Sequence, residues 1–297
     1  MTLVMIQGKI IPPQDAQVSA WDRGYYFGDG IYEVIQSYNG KLWGFDQHFR
    51  RFVRSLKEIA INNVDLEQIR GWIYQAFDAA KIPNAMIYFQ ITRGCAMRTH
   101  VPPADMTEPQ FFLYIKPAPD NRHYVEEGIA TILYEDIRWK RCDIKSLNLL
   151  PNVMASQEAA RRGAAEALFT TGDFINEGAS SGFFGILDGK LVTRQLDNLI
   201  LPSVTRQAIL AIAERLDIEI IERPISIKEA FEAEELFTAS SGYEIRPIIK
   251  LEDKIIGTGK PGKKTLRIIE HFIQDTRGGI SFDEIVKNTR FQLLPAK

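Results

Sequence analysis

Two residues, Asn39-Gly40, do most to limit what this chain can fold into. They sit inside "IYEVIQSYNGKLWGF", which alternates imperfectly between apolar and polar on either side of them. Asn-Gly accepts positive φ at both turn positions, so it joins two antiparallel strands in a tight hairpin. Helical spacing follows at once. In "FDQHFRRFVRSLKEIAI", Phe49, Phe52, Val53, Leu56 and Ile59 share one face, with Asp46 as the expected cap. In "DLEQIRGWIYQAFDAAKI", Asp65 is the expected cap, and Ile69, Trp72, Ile73, Ala76 and Phe77 form the stripe. Two strand-like runs come next, "AMIYFQITRG" and "PQFFLYIKP", separated by the Pro-rich loop 101–109. A hairpin, two helices and two strands do not make a βαβ rhythm. No GxGxxG follows a strand, so a doubly wound dinucleotide fold is excluded.

"KPAPDNRH", residues 116–123, concentrates two prolines, Asp and Asn. It is the expected linker between a small domain, 1–118, and a larger one, 119–297. A chain of 297 residues is long enough for two lobes. The second part reads as the strand "IATILYEDIRW", the helix "PNVMASQEAARRG" stopped by Gly163, and hairpins at 171–173 and at Asp188-Gly189. Then come the helix "VTRQAILAIAERL", the strand "IEIIERPI", a capping box of Ser226 with Glu229, more strand, and a last helix "KKTLRIIEHFIQD". The expected class is α+β with a mostly antiparallel sheet.

Composition removes several function classes. A net charge of −2 offers no footprint for nucleic acid or an anionic membrane. No basic leader and no run of about 20 apolar residues is present, so the cytoplasm is the expected location. Cys95 and Cys142 form no CxxC, as for reduced thiols. The four histidines make no HExxH, so no metal site is expected.

Five features could carry chemistry. Lys145, in "RWKRCDIKSLNLLPN", is followed by Leu147, Leu149 and Leu150. If the segment is extended, Asp143, Lys145 and Leu147 face one way. Such a lysine either snorkels to water or works as a neutral amine. "LILPSVTR" runs an apolar strand into a helix start, where backbone N–H groups and the Thr205 hydroxyl could hold a phosphate; Ser203 could equally be a plain cap. "FTASSGYEI" offers Ser240 and Ser241 beside Gly242, or a simple turn. In "FINEGASSGFFG", Glu177 lies between apolar strands and needs a partner, either a cationic ring nitrogen or any Lys or Arg. Arg98 and His100 in "RTH" would project from one face of an extended chain and could clamp a carboxylate; otherwise they are exposed loop residues.

"RGYYFGDGIYEV", "IYFQITRG", "EDIRWKRCDIKSLNLL", "INEGASSGFFGI" and "LILPSVTR" together resemble the class IV aminotransferases, the fold-type IV pyridoxal phosphate enzymes, over nearly the whole chain. "RTH" after "ITRG" resembles their D-amino-acid branch. The resemblance implies a small N-terminal α/β lobe and a larger C-terminal mixed-sheet lobe with flanking helices. It implies ping-pong transamination of a D-amino acid with 2-oxoglutarate, through aldimine and ketimine, giving a pyruvate-type oxo acid and D-glutamate. By the same match, Lys145 is the Schiff-base lysine and Glu177 the acid on the ring nitrogen. Arg51, Val204, Thr205, Ser240 and Ser241 would serve the cofactor phosphate, and Leu201 would pack under the ring. Tyr32, Arg98 and His100 would trap the substrate α-carboxylate, the last two coming from the neighbouring subunit of a homodimer. Ala179, Gly182 and Tyr243 depart from the family pattern. The rivals are a branched-chain L-aminotransferase, an R-amine transaminase or an aminodeoxychorismate lyase on the same fold, and a cofactor-binding protein without turnover.

Overall fold

A computed structural model describes residues 2–103 and 108–294. Part of the expected loop 101–109 therefore lies outside the described residues. The chain divides into two compact units: Met1–Pro119 with Ile144–Leu149, and Asp120–Asp143 with Leu150–Lys297. Residues 144–149, assigned by the sequence reading to the domain 119–297, cluster with the first unit.

The first unit holds β1 (Leu3–Ile6), β2 (Lys9–Ile11), α1 (Arg23–Phe27), β3 (Gly30–Tyr38), β4 (Lys41–Leu42), α2 (Phe45–Glu58), α3 (Leu66–Ala80), β5 (Ala85–Thr92) and β6 (Gln110–Pro117). The strands form one antiparallel sheet in the order β2-β1-β6-β5-β3-β4. Strand alternation places Ile31, Ile35, Ile87, Phe89, Leu113 and Ile115 in one core with Phe52, Leu56, Ile69 and Ile73 of the two helices. Asn39 and Gly40 take φ of 50° and 79° and close the β3–β4 hairpin, as expected. Asp65 caps α3, accepting from Gln68 N–H at 2.9 Å. Asp46 does not cap α2. Gly44, at φ 64°, is the residue at the cap position, so the helix starts two residues earlier than an Asp46 cap would start it. Asp46 instead accepts from Arg70 at 2.8 Å.

The second unit holds α4 (Arg122–Glu127), β7 (Ile129–Glu135), α5 (Leu150–Arg161), β8 (Glu166–Thr171), β9 (Phe174–Gly178), β10 (Gly182–Leu187), β11 (Lys190–Thr193), α6 (Val204–Arg215), β12 (Ile220–Glu222), β13 (Ile225–Ser226), α7 (Ile227–Glu232), β14 (Glu235–Ser240), β15 (Glu244–Leu251), β16 (Lys254–Ile255), α8 (Lys263–Gly278) and α9 (Phe282–Val286). Its sheet runs β12-β11-β10-β14-β15-β7-β8-β9-β13, with β16 on β15. The pairs β7/β8, β15/β7 and β11/β12 are parallel and the rest antiparallel. The fold is α+β with a mixed second sheet. The Ser226–Glu229 capping box forms at α7. α6 is buried from Val204 through Ala213, because it packs against β14, α8 and α9. α4 and α9 have no counterpart in the sequence reading.

Candidate active site

In the first unit, Lys145 is placed by its backbone. The segment Ile144–Leu149 bonds to β3: Tyr32 N–H donates to Lys145 O, and Leu147 N–H to Gly30 O, both at 3.0 Å. Lys145 N–H donates to Ser55 Oγ on α2 at 3.4 Å. The segment is a turn and a single bridge rather than a strand, so Asp143, Lys145 and Leu147 do not alternate as an extended run would. Asp143 instead accepts from Arg141 in the second unit. Lys145 Nζ lies 4.2 Å from the Tyr32 ring centroid and makes no ion pair or hydrogen bond among the described residues. Tyr32 stacks on Tyr88, and Tyr88 on Tyr114, across the sheet.

Behind Lys145 runs a polar stripe on α2: His48, Arg51 and Ser55, spaced to share a face and all buried. It meets Glu33, which points into the core from β3. Arg51 grips Glu33 with Nε and Nη2, each at 2.7 Å, and His48 Nδ1 lies 2.8 Å from the same carboxylate. Burial alone would raise the Glu33 carboxyl. The Arg51 charge and hydrogen bonds, with His48, outweigh it and lower the group to about 2. His48 is lowered, by burial and by the Arg51 and Lys145 charges, against the pull of Glu33. Glu33 and His48 were not singled out by the sequence reading. Their signal is a carboxylate at a core position of a strand, with His and Arg at matching helical spacing.

Arg98 and His100 are exposed and lie on bends, not on a strand. Both nonetheless lie near the Phe27 ring. The Arg98 guanidinium carbon sits 4.9 Å from the Phe27 ring centroid, and the His100 ring 5.6 Å from it. Arg23 holds the loop by donating to Thr99 O and His100 O at 2.6 and 3.2 Å. No contact joins either residue to Lys145 or Tyr32 among the described residues.

In the second unit, Glu177 projects from β9 and is 6% exposed. Arg138 donates to it at 2.6 Å and Leu201 N–H at 3.1 Å. Arg138 also forks onto Asp136, at 2.9 and 2.7 Å, and lies over the Phe169 ring. Two buried carboxylates therefore share one guanidinium. Burial raises Glu177 despite Arg138, whereas Asp136 is lowered, because Arg138 and Asn176 overcome its burial. Cys142, beside this cluster, is pushed up to about 12 by burial. Arg138 and Asp136 were also not singled out; their i, i+2 spacing in a loop has no periodic signature.

The open alternatives at the hydroxyl clusters separate. Ser203 is the cap of α6, accepting from Arg206 N–H at 3.2 Å. The amides of Val204 and Thr205 open the helix, where no intrahelical acceptor exists. Ser240 Oγ closes its own turn with Tyr243 N–H at 3.2 Å. Ser241 Oγ lies 3.4 Å from Thr205 Oγ1, so these two hydroxyls stand together at the helix start.

The profile of the amino-transferase class IV family matches residues 30–251. The D-alanine aminotransferase of Staphylococcus epidermidis is 39% identical over 273 residues, 92% of this chain and 97% of that one. This chain belongs to the class IV aminotransferases. Its fold is that of the branched-chain amino acid aminotransferase of Escherichia coli, at a TM-score of 0.85 and 23% identity, over 93% of this chain and 95% of that one. A second branched-chain amino acid aminotransferase, solved with pyridoxamine 5'-phosphate, matches with a TM-score of 0.84 and 21% identity over 93% and 94% of the two chains. Class IV aminotransferases use pyridoxal 5'-phosphate. The residues suit this cofactor. Glu177 and Asp136 carry one negative charge more than Arg138 balances, which favours a protonated ring nitrogen. A helix start with two adjacent hydroxyls favours a phosphate. Lys145 keeps an amine unengaged by any carboxylate among the described residues.

Proposed function

We propose that this class IV aminotransferase moves the amino group of a D-amino acid, of the D-alanine type, to 2-oxoglutarate, giving a pyruvate-type oxo acid and D-glutamate. The carrying observation is that Arg98 and His100, a guanidinium and an imidazole, are both exposed and both lie near the Phe27 ring. The 39% identity to a D-alanine aminotransferase supports it. When bound, pyridoxal phosphate supplies a carbonyl for the amino group and a ring that withdraws electrons from the substrate Cα. The chain's own groups do the rest. Lys145 Nζ, held in place by its backbone bonds to β3 and α2, would take the proton from that Cα and deliver it to the carbon that supplied the carbonyl, so that the amino group stays behind and the oxo acid leaves; the second half-reaction runs the same transfer in reverse. Glu177 keeps the proton on the ring nitrogen. Arg51, Val204, Thr205, Ser240 and Ser241 would hold the phosphate, and Leu201 would line the ring site. Tyr32, Arg98 and His100 bind the α-carboxylate.

The reading extends to assembly and place. The active form is a homodimer in which Arg98 and His100 serve the neighbouring subunit. The division of labour is a small domain, 1–118, with which residues 144–149 cluster, and a cofactor-binding domain made of the rest of 119–297. The cytoplasm suits two free cysteines, and no helix among the described residues is long and apolar enough to cross a membrane. The test is the visible absorption of the purified holoenzyme after D-alanine or L-alanine is added to separate samples. Bleaching by the D-isomer alone is expected. Bleaching by the L-isomer alone would overturn the stereochemical reading, and bleaching by neither would overturn D-alanine-type transamination.

A further inference from the structure

Among the described residues, buried arginines are matched by a touching carboxylate, as Arg51 is by Glu33 and Arg206 by Glu222. Arg246 is not. It lies on β15 opposite Thr238 of β14 and is 6% exposed. Its Nη2 donates to Asn121 Oδ1 at 3.0 Å, and its Nε is buried with no hydrogen-bond partner among the described residues. Two aromatic faces clamp the guanidinium, Tyr124 at 4.0 Å and Tyr243 at 3.8 Å from its carbon. These contacts are to ring faces and use no N–H of the ion, so its in-plane donors are left to hydrogen-bond partners. Glu166 acts on it through charge, but without an ion-pair contact. Glu166 is instead engaged by the Ser180 N–H and hydroxyl, at 2.7 and 3.0 Å. A buried guanidinium without a touching counter-ion is costly. Its planar edge is shaped for a carboxylate.

The position of Arg246 links it to the chemistry. The β14–β15 turn that presents Ser241 to Thr205 also presents Tyr243, one wall of the clamp. Ser240 pairs with Glu244 in the register in which Thr238 pairs with Arg246, so the guanidinium's strand position is about 7 Å from the turn. We propose that Arg246 is a specificity residue, its free edge receiving the distal carboxylate of a dicarboxylic oxo acid and of the matching D-amino acid. This rests on the transamination reading above.

The experiment compares two amino acceptors, 2-oxoglutarate and 2-oxobutyrate, which share the reacting carbonyl and differ in the distal carboxylate. The donor is D-alanine, and the proteins are the wild-type holoenzyme and Arg246→Met. The kcat/KM ratio of 2-oxoglutarate to 2-oxobutyrate should fall about 10- to 100-fold in the variant, the loss expected for one charge-assisted hydrogen-bonded contact. Arg246→Lys should restore part of it. If Arg246→Met does not fold, Arg246→Lys and Tyr243→Leu are read by the same ratio. An unchanged ratio, with or without a fall in Tm, would make Arg246 a structural tie to Asn121 and overturn the proposal. Bleaching of the wild-type visible band by D-alanine is followed separately. Its failure would remove the transamination reading, and this proposal with it.

Discussion

Glu33 shows what a single carboxylate on the apolar face of a strand requires. It faces Phe89 across the sheet and shares its side of β3 with Ile31 and Ile35. Only a guanidinium gripping both oxygens makes that position tolerable. The pairing has a pH signature. The group falls from 4.5 to about 2 on folding. It therefore contributes stability that is fully present above about pH 4.5 and is lost as pH falls through about 2. Glu33→Gln should remove that acid-dependent term. In the protein stripped of cofactor it should also leave Arg51 buried without a counter-charge, at a cost of about 3–5 kcal/mol at neutral pH. Urea melts between pH 7 and pH 2.5 would show both effects. A variant that loses stability on acidification as steeply as the wild type would sink this account of Glu33.

At the scale of elements, the segment 144–149 depends on how closely β3 can be approached. Gly30 accepts from Leu147 N–H, and a Cβ there would stand 2.5 Å from Ile91 O and 2.9 Å from Leu147 Cδ1. Gly40, at φ 79°, has open space around it. Gly40→Ala should cost only the backbone strain of a left-handed residue, about 1 kcal/mol, and leave turnover intact. Gly30→Ala must part β3 from β5 or displace the Lys145 segment. It should lower Tm further and lower kcat as well. Equal Tm shifts with equal turnover would show that the segment is not positioned through Gly30. The same scale separates legible elements from silent ones. Asn39-Gly40, the Asp65 cap and the Ser226 box were legible because each is a local interaction. The five-residue α9 and six-residue α4 are too short to show a period.

For the whole molecule, the proposed sharing of a site between subunits has a direct consequence. Lys145→Ala should be inactive, and Arg98→Ala should be impaired mainly through a raised KM for the amino acid. In a hybrid of the two, one site regains a native lysine and a native arginine, while the other loses both. Unfolding and refolding an equimolar mixture should therefore restore about a quarter of wild-type activity, the share expected for random pairing of two chains with one good site per hybrid. Activity no higher than the mean of the separate variants would place Arg98 and Lys145 in the same subunit's site. Sedimentation of the wild type gives the accompanying check, since a monomer that turns over would overturn the shared arrangement.

The residues themselves offered candidates for the site. Lys145, Glu177 and the Ser203 helix start were legible as candidates, each with a plain structural alternative, and only the family resemblance joined them into one site; at Ser203 the structure shows the plain helix cap. The sequence alone also established the class of fold, through local turn chemistry and hydrophobic spacing. Partners were not legible. Nothing in "EDIRWKR" says that Arg138 is shared between Asp136 and Glu177, that Arg51 grips Glu33, or that Arg246 lies between Tyr124 and Tyr243. Nor does "CDIKSL" say that the chain leaves one unit at Asp143 and joins the other at Ile144. Periodicity reports which face a residue occupies, and burial then demands a partner for any charge on the inner face. Which charge answers is decided by contacts between residues far apart along the chain, and only the tertiary structure brings those together.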